Sequence, residues 1–384
     1  MQSLPQNSHP PQPPSIAIIG GGPGGLTLAR ILHRHGLAST VFERDARPLD
    51  RPQGGSLDLH ADTGLRALRL AGLDDAFRPF ARYEDQGAKV YHSDGRLLYE
   101  DFGRDGHRPE IDRTQLRQIL LDSLPPATVR WSQKVDAIQP LPDSRYEVIT
   151  NGQPGEAFDL VIGADGARSR VRPLVSSAAL SYEGATFVEL GIDEADVRYP
   201  ELGALVGHGK MFAKGKGKTL VGQRSSQSHL RVYAALRVPE GGLALNLAHP
   251  QRAKEQLLEL FADFAPNLRA LIAAAEPLAI RPVYALPIGH RWENRPGLTL
   301  IGDAAHLMSP FGGEGANCAM ADGADLALAL VNNPADWRQS VADFEETMLT
   351  RAEPAARGAA QGIRGAVSED AQDHVLEHFQ SGPT

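Results

Sequence analysis

The sequence predicts an α/β protein that combines a parallel sheet, a second domain built mainly from β-sheet and a long C-terminal helix. Apolar runs that end in glycine turns occur at residues 16–20 (IAIIG), 159–166 (DLVIGADG) and 298–303 (LTLIGD), a pattern typical of strands buried on both faces. Residues 176–282 alternate strand-like pieces with turns, and the last segment, 337–379, is rich in helix-forming residues. Asp112, with Gln115 three residues later, resembles the capping pair at the start of another helix.

The composition is that of an ordinary globular chain and argues against several classes of protein. The 384 residues carry a net charge of −8, which disfavours nucleic acid as a partner because duplex binding needs a basic face. No apolar run approaches the ~18 residues of a membrane span. The single cysteine, Cys318, fits a reducing compartment, so we expect a cytoplasmic protein. No interface pattern stands out, which favours a monomer or weak oligomer.

The first glycine loop, GGGPGG, lies between the strand at 16–20 and a helical run at 26–35. In the pattern Gly20-x-Gly22-x-x-Gly25, the first glycine allows a tight turn, the second lets a pyrophosphate approach and the third lets the helix pack on the strand. Glu43 ends the next strand, where an acid accepts hydrogen bonds from a ribose. The arrangement predicts a dinucleotide site; the alternative is a plain tight turn.

Two later turns have the same form. Asp165 follows the strand at 159–166, and Arg168, Ser169 and Arg172 are predicted to open a helix there; a salt-bridged strand–helix turn is the alternative. Asp303 follows the strand at 298–303, and a glycine-rich stretch precedes an Ala-rich helix. Because carboxyl ends of parallel strands meet at one edge of a sheet, we expect one extended cofactor to lie across all three turns.

Taken in order, GGGPGG with Glu43, GADGARSRVR (163–172) and GDAAHLMSPFGGEGAN (302–317) resemble the class A flavoprotein monooxygenases, the aromatic-hydroxylase group with a glutathione-reductase-type FAD domain. Within that group the chain looks most similar to the tetracycline-inactivating monooxygenases. The stretches that match are RPQGGSLDLH (51–60), PEIDRTQLRQILL (109–121) and IGDAAHLMSPF (301–311).

The resemblance implies a division of the chain into domains. Residues 1–15, which are rich in Pro and Gln, form a disordered leader. Residues 16–75, 105–175 and 283–330 form a Rossmann-like FAD-binding domain, and residues 76–104 with 176–282 form the substrate-binding domain. Residues 331–379 form a C-terminal helix that bridges the two.

The resemblance also implies a set of site residues. Pro310, Gly312 and Gly313 leave room for the isoalloxazine ring, and the helix that follows directs its first amides at the N1/C2=O edge, where reduced flavin is negative. The family commonly has Gln where this chain has Glu314, so we expect that carboxylate to face away from the ring. The residues predicted to bind FAD are Gly20, Gly22, Gly25, Glu43, Arg44, Asp58, Arg113, Asp165, Asp303, Gly315, Ala316 and Asn317.

The chemistry implied by the family uses FAD, NADPH or NADH, and O2. Hydride reduces the flavin, O2 adds to give a C4a-hydroperoxide, and a hydroxyl group passes to an aromatic or polyketide-like molecule, with tetracycline as one candidate. Arg51 aligns with a nicotinamide contact, although a solvated loop arginine is the alternative. The residues predicted to face the substrate are Glu189, Lys210, Arg231 and Tyr233.

Two other interpretations stay open, a flavin reductase or dehydrogenase that inserts no oxygen and a non-catalytic flavin-binding protein. The cofactor carries the chemistry in this family, so no catalytic triad is expected. Residues 374–378 (HVLEH) match a zinc pattern, but only six residues follow them, so we predict no metal site.

Overall fold

The computed structural model describes residues 13–48, 50, 54–104 and 106–371. Arg51, most of the predicted leader and the zinc-like pattern at 374–378 lie outside these ranges. The strands, in chain order, are β1 (Ile16–Ile19), β2 (Thr40–Phe42), β3 (Ser56–Asp58), β4 (Gly87–His92), β5 (Leu97–Asp101), β6 (Glu110–Asp112), β7 (Val129–Arg130), β8 (Val135–Pro140), β9 (Tyr146–Thr150), β10 (Ala157–Phe158), β11 (Leu160–Gly163), β12 (Ser181–Ile192), β13 (Gly209–Gly215), β14 (Lys218–Arg224), β15 (Leu230–Arg237), β16 (Glu276–Ala285) and β17 (Leu298–Leu300).

The α-helices follow the same order of numbering. They are α1 (Pro23–Arg34), α2 (Gly64–Ala71), α3 (Asp74–Phe77), α4 (Arg113–Asp122), α5 (Ala195–Arg198), α6 (Pro200–Val206), α7 (Pro250–Leu260), α8 (Pro266–Ala274), α9 (Asp303–His306), α10 (Gly315–Asn332) and α11 (Trp337–Ala366).

A five-stranded parallel sheet in the order β17-β11-β1-β2-β7 forms the centre of the first unit. Every residue of β1, β11 and β17 is buried, as their apolar sequences, interrupted only by Thr299, predict. Helix α1 crosses from β1 to β2, which confirms the predicted β-α-β start. The ends of β1, β11 and β17 therefore lie side by side at one edge of the sheet.

A seven-stranded sheet in the order β16-β12-β15-β14-β13-β4-β5 forms the second unit, and its pairs are antiparallel except for β4 with β13. One face packs on α6, α7 and α8 through a core of Leu, Val, Ile and Phe side chains. The other face is directed at the first unit, and β3 with β6 lies between them as a two-stranded ribbon.

Helix α11 connects the two units. Its Arg351 pairs with Asp322 on α10, and further along Ile363 packs with Phe187 of the seven-stranded sheet. The α/β fold with a β-rich second unit and a long C-terminal helix is confirmed. The exact domain boundaries stay a prediction.

One local prediction was wrong. The pair Asp112 and Gln115 resembles a capping box, and Asp112 does occupy the N-cap of α4, yet its side chain makes no capping bond. Its carboxylate instead pairs with Arg82 and accepts hydrogen bonds from Ser226, because those partners satisfy the charge better than one backbone amide.

Candidate flavin and substrate site

The first glycine loop is fixed by contacts that leave no room for side chains at Gly20 and Gly25. Gly20 has φ +111°, and a β-carbon there would lie 2.4 Å from the Ala164 carbonyl oxygen. A β-carbon on Gly25 would lie 2.3 Å from the Gly20 oxygen, so helix α1 packs directly on the turn. At Gly22, by contrast, a β-carbon would meet no atom within 4 Å. The amide end of α1 thus faces an open cradle.

Glu43 and Arg117 support this loop from below. Glu43 Oε2 accepts a hydrogen bond from the Gly21 amide at 2.8 Å, and Oε1 accepts one from the Asp45 amide at 2.9 Å. Arg117 is buried, lies 3.5 Å from the Glu43 carboxylate and donates to the Gly21 carbonyl. The side chain that the sequence predicted as a ribose ligand is therefore also a brace for the glycine loop.

The second turn lies against the first. The Cα of Asp165 would be 3.0 Å from a β-carbon on Gly20, and Asp165 Oδ2 accepts a hydrogen bond from the Arg170 amide at 2.6 Å. Asp165 Oδ1 is buried and has no hydrogen-bond partner among the described residues, and burial raises the pKa of this carboxyl group. The prediction that an α-helix starts here was wrong, because only a 3-10 turn, Arg172–Leu174, follows.

Arg172 joins the second turn to the third. Its guanidinium donates to the carbonyls of Ala167 and Ala304 at 2.6 and 3.1 Å. The turn that contains Asp303 is held from the other side by Asp322, whose carboxylate accepts from the Gly302 amide at 2.8 Å and from His306 at 2.6 Å. The three predicted turns are therefore joined into one edge.

Residues 310–315, which we call the 310–315 loop, lead into α10. Gly313 has φ +68°, and a β-carbon there would lie 3.6 Å from Asp58 Oδ1; one on Gly315 would lie 3.7 Å from Asp303 Oδ1. Burial raises the pKa of Asp303. Asn317, in the first turn of α10, donates to the Asp58 carbonyl at 2.9 Å and accepts from the His60 amide at 3.0 Å. Two carboxylates thus flank the glycines before α10.

A chain of alternating charges, which we call the 314–110 chain, runs from this loop to the seven-stranded sheet. It consists of Glu314, His60, Asp58, Lys210 and Glu110, with successive N···O distances of 3.3, 3.1, 2.9 and 3.0 Å. Burial opposes ionisation of Asp58, but Lys210 and His60 hold its pKa well below the usual range. Burial likewise opposes the charge of His60, but hydrogen bonds to Asp58 and Glu314 raise its pKa to about 9.

The inner face of the seven-stranded sheet carries the predicted substrate residues together. Glu189 is buried and pairs with Arg231 at 2.7 Å and with Arg281 at 2.5 Å. Arg231 Nε is buried and has no acceptor among the described residues. Burial raises the pKa of Tyr233, so its hydroxyl stays protonated at neutral pH.

A group of aromatic side chains borders the space between this face and the 310–315 loop. The rings of Phe187 and Phe311 meet edge to face with centroids 5.6 Å apart, and Tyr233 lies 6.3 Å from Phe187. On the far side, a β-carbon at Gly362 of α11 would lie 3.1 Å from Phe311. Phe311 therefore contacts both the sheet and the C-terminal helix.

Most of the predicted site residues lie around this one edge, and their roles stay predictions. Arg113 begins α4, and its side chain lies 3.4 Å from where a β-carbon of Gly54 would be. Arg44 is exposed, Pro310 begins a single 3-10 turn, and Ala316 is the second residue of α10. Arg51 falls outside the described residues.

Sequence reasoning missed several of the polar residues at the site. His60 is two residues after Asp58, and a spacing of two at a strand end places side chains on one face, so this signal was available. Arg117 lies one helical turn after Arg113, and Asp322 is an acid in an otherwise Ala-rich helix. Gln223, which donates to the Ser56 carbonyl at 3.2 Å, had no local signal.

The residues present fit a flavin dinucleotide. The cradle at Gly22 is open where a pyrophosphate approaches, Asp165 Oδ1 is a buried acceptor without a donor, and the glycines before α10 leave its amide end uncovered. Glutamate and aspartate carboxylates at β-strand ends suit ribose and ribityl hydroxyls. The donors and acceptors are therefore of the kind FAD needs.

A parallel sheet with a glycine loop, two further acidic turns and a facing β-sheet is the arrangement of a flavin-dependent oxidoreductase. The chain belongs to the FAD binding domain family, whose model matches residues 14–341. It is a member of a group of FAD-dependent monooxygenases, and the monooxygenase asqM of Emericella nidulans is 32% identical to it over 93% of this chain and 96% of that protein.

Solved structures share the fold. HpxO of Klebsiella pneumoniae, crystallised with FAD and uric acid, matches with a TM-score of 0.81 at 21% identity, over 95% of this chain and 92% of that one. The tetracycline destructase Tet(51) matches with a TM-score of 0.70 at 21% identity, over 96% and 95% of the two chains. The resemblance to class A monooxygenases is confirmed, and FAD is the cofactor of the family.

Among the described residues, no helix combines the length and apolar character that crossing a membrane requires.

Proposed function

We propose that this protein is an NAD(P)H-consuming FAD monooxygenase that hydroxylates an aromatic or polyketide-like molecule. The reaction takes one substrate, one O2, one NAD(P)H and one proton, and gives the hydroxylated product, water and NAD(P)+. Bound FAD supplies the redox chemistry by accepting hydride and activating O2. The observation that carries the proposal is the aromatic and ionic face of the seven-stranded sheet directly opposite the 310–315 loop.

The chain's own residues bind and orient the cofactor. The cradle at Gly22 takes the pyrophosphate, and Glu43 accepts from a ribose while it braces the loop. Asp303 accepts from the ribityl chain. The amides of Gly315, Ala316 and Asn317 begin α10 and would stabilise the ring edge that becomes negative on reduction, because a helix N-terminus favours negative charge.

The substrate lies between the ring and the inner face of the sheet. Arg231 Nε is a buried donor without an acceptor, so a substrate carbonyl or phenolate oxygen satisfies it. Tyr233 offers a neutral hydroxyl close by. Phe187 and Phe311 stack on an aromatic substrate and exclude water, which protects oxygen transfer from wasteful release of peroxide.

The test is a panel of phenolic and tetracycline-type compounds, incubated with the FAD-loaded protein and either NADPH or NADH. We expect at least one compound to gain the mass of one oxygen atom, with one equivalent of reduced nicotinamide consumed. Nicotinamide consumption that yields only hydrogen peroxide, with every compound unchanged, contradicts the proposal and identifies a reductase. Gain of oxygen by another aromatic but not by tetracyclines excludes tetracycline as the substrate.

A pair of variants tests the substrate site itself. Arg231→Gln removes the buried donor, and losing one charged hydrogen bond costs about 1.5–3 kcal/mol, so we expect kcat/KM to fall by roughly tenfold or more. Arg237→Gln, on the same strand but exposed, is the matched control and should leave kcat/KM unchanged. Equal effects of the two variants contradict a substrate contact at Arg231.

A further inference from the structure

The 314–110 chain brings an acid to the amino end of α10, the place where the ring is expected. Glu314 occupies the N-cap of α10, and its side chain makes no capping bond. Instead its Oε1 lies 3.3 Å from His60 Nδ1. The charge at the start of this helix therefore depends on two residues that lie far apart in the sequence.

The geometry at His60 requires a charged imidazole. Nδ1 faces the Glu314 carboxylate and Nε2 faces the Asp58 carboxylate at 3.1 Å, and the ring is only 12% exposed. An ionised carboxylate only accepts hydrogen bonds, so both ring nitrogens must carry protons to satisfy both neighbours. With a neutral imidazole, the lone pair of one ring nitrogen would face the carboxylate of Glu314 or of Asp58.

The sum of charges in the 314–110 chain changes by one unit when either His60 or Glu314 loses its charge. With His60 protonated, two cations face three carboxylates and the net charge is −1; without the imidazolium it is −2, and without Glu314 it is 0. Asp58 lies beside Gly313, where a β-carbon would be 3.6 Å from its Oδ1, and Glu314 is the next residue, so the charges of this chain lie directly against the 310–315 loop. Each unit of negative charge there opposes the charge of a reduced flavin.

We propose that His60 is a positioning residue that engages Glu314 and Asp58 together and thereby sets the reduction potential of the flavin at the 310–315 loop. Its imidazolium pairs with the Glu314 carboxylate, holds that carboxylate away from the amide end of α10 and neutralises its charge. The proposal rests on the placement of the ring given under the proposed function, but not on the oxygen-transfer reaction.

The experiment measures the reduction potential of bound FAD by anaerobic spectroelectrochemical titration at pH 7, without substrate. His60→Gln should lower the potential, and Glu314→Gln should raise it. The double variant restores the net charge to −1 and should return the potential close to that of the unaltered protein. For each single variant we expect at least a tenfold change in the ratio of affinities for reduced and oxidised FAD, which is about 30 mV for a two-electron couple.

His92→Gln is the matched control, because His92 also pairs with a carboxylate, that of Asp94, but at the turn between β4 and β5. It should leave the potential unchanged. A purely structural role for His60 predicts weaker FAD binding in the single variant with no recovery in the double variant, and that result overturns the proposal.

Glu314→Gln keeps the proposal testable if His60→Gln does not fold, because Glu314 is 30% exposed and its loss leaves no buried orphan charge. An unchanged or lowered potential in Glu314→Gln alone overturns the inference. FAD binding and its potential are read without turnover, so protein that shows the expected shifts but oxygenates nothing contradicts only the proposed monooxygenase. Protein that oxygenates a substrate but shows no shifts contradicts only the role of His60.

Discussion

The two glycine-rich loops of the site are held in different ways. Around Gly20 and Gly25 the restraint is steric: a single added carbon would lie 2.3–2.4 Å from backbone oxygens. Around Gly313 and Gly315 the nearest atoms to an added carbon are carboxylate oxygens at 3.6 and 3.7 Å, which are ordinary contact distances, so these positions have room and lie beside charged groups. The difference teaches that chain packing fixes the end of the site at Gly20 and Gly25, whereas charged side chains border the end at Gly313 and Gly315.

The largest expected effect comes from replacing Asp322, which holds the charged end of the site together. Asp322 is buried and its carboxylate holds the Gly302 amide, His306 and Arg351. Asp322→Ala leaves those partners without their anion, which costs about 3–5 kcal/mol in comparable buried networks. Urea unfolding of the apoprotein, followed by circular dichroism, measures this loss. The control, Glu346→Ala, removes an exposed pair and should cost less than about 1 kcal/mol; equal losses would contradict the distinction.

The second prediction tests the steric end. Gly25→Ala forces a carbon against the Gly20 oxygen, and we expect a loss of about 3 kcal/mol in unfolding free energy, the upper part of the range for overpacked sites. Gly22→Ala meets no atom and should keep its stability while it weakens FAD binding, because the new methyl group enters the open cradle. Fluorescence titration of the apoprotein with FAD separates the two. Similar stability losses in both variants would disprove steric control at Gly25.

The third prediction sharpens the electrostatic side through pH. The pKa of His60 is raised from about 6.5 in the unfolded chain to about 9 in the folded one. A raised pKa means that the stabilisation is complete below pH 6.5 and is lost as the pH rises through 9. We expect about 2 kcal/mol less stability at pH 10 than at pH 7 from this group.

His60→Gln should remove that portion of the pH dependence. The measurement is the difference between the urea midpoints of the two proteins across pH 6–10. Parallel curves for the two proteins would show that His60 does not titrate in this range.

The sequence predicted the parts of the site that are determined locally. The turns at Gly20, Asp165 and Asp303 follow short apolar strands, and the strand pattern alone places them at one edge of a sheet. Glu189, Arg231 and Tyr233 were predicted to face one cavity, and alternation along paired strands puts them on one face of the sheet. The evidence for the three turns lay within a few residues of each turn, whereas Glu189, Arg231 and Tyr233 were predicted from the family resemblance.

The parts that were missed depend on partners distant in sequence. Lys210 bridges Asp58 and Glu110, which only the packing of the two units brings together, and the sequence did not indicate these ion pairs; its contact with substrate stays a prediction. Asp112 was assigned to a local cap for the same reason: its true partners, Arg82 and Ser226, come from other segments. Local pattern cannot choose among several ionic partners of similar strength.

The packing of α1 against α10 has a consequence for the newborn protein. A β-carbon at Gly24 would lie 2.6 Å from the Ala319 carbonyl, so the helix that opens the first motif is completed by one near the end of the chain. The first glycine loop is therefore synthesised long before α10, the helix that packs against it. The contact between α1 and α10 can therefore form only after translation has passed residue 319, so the first glycine loop gains its last packing partner late in synthesis.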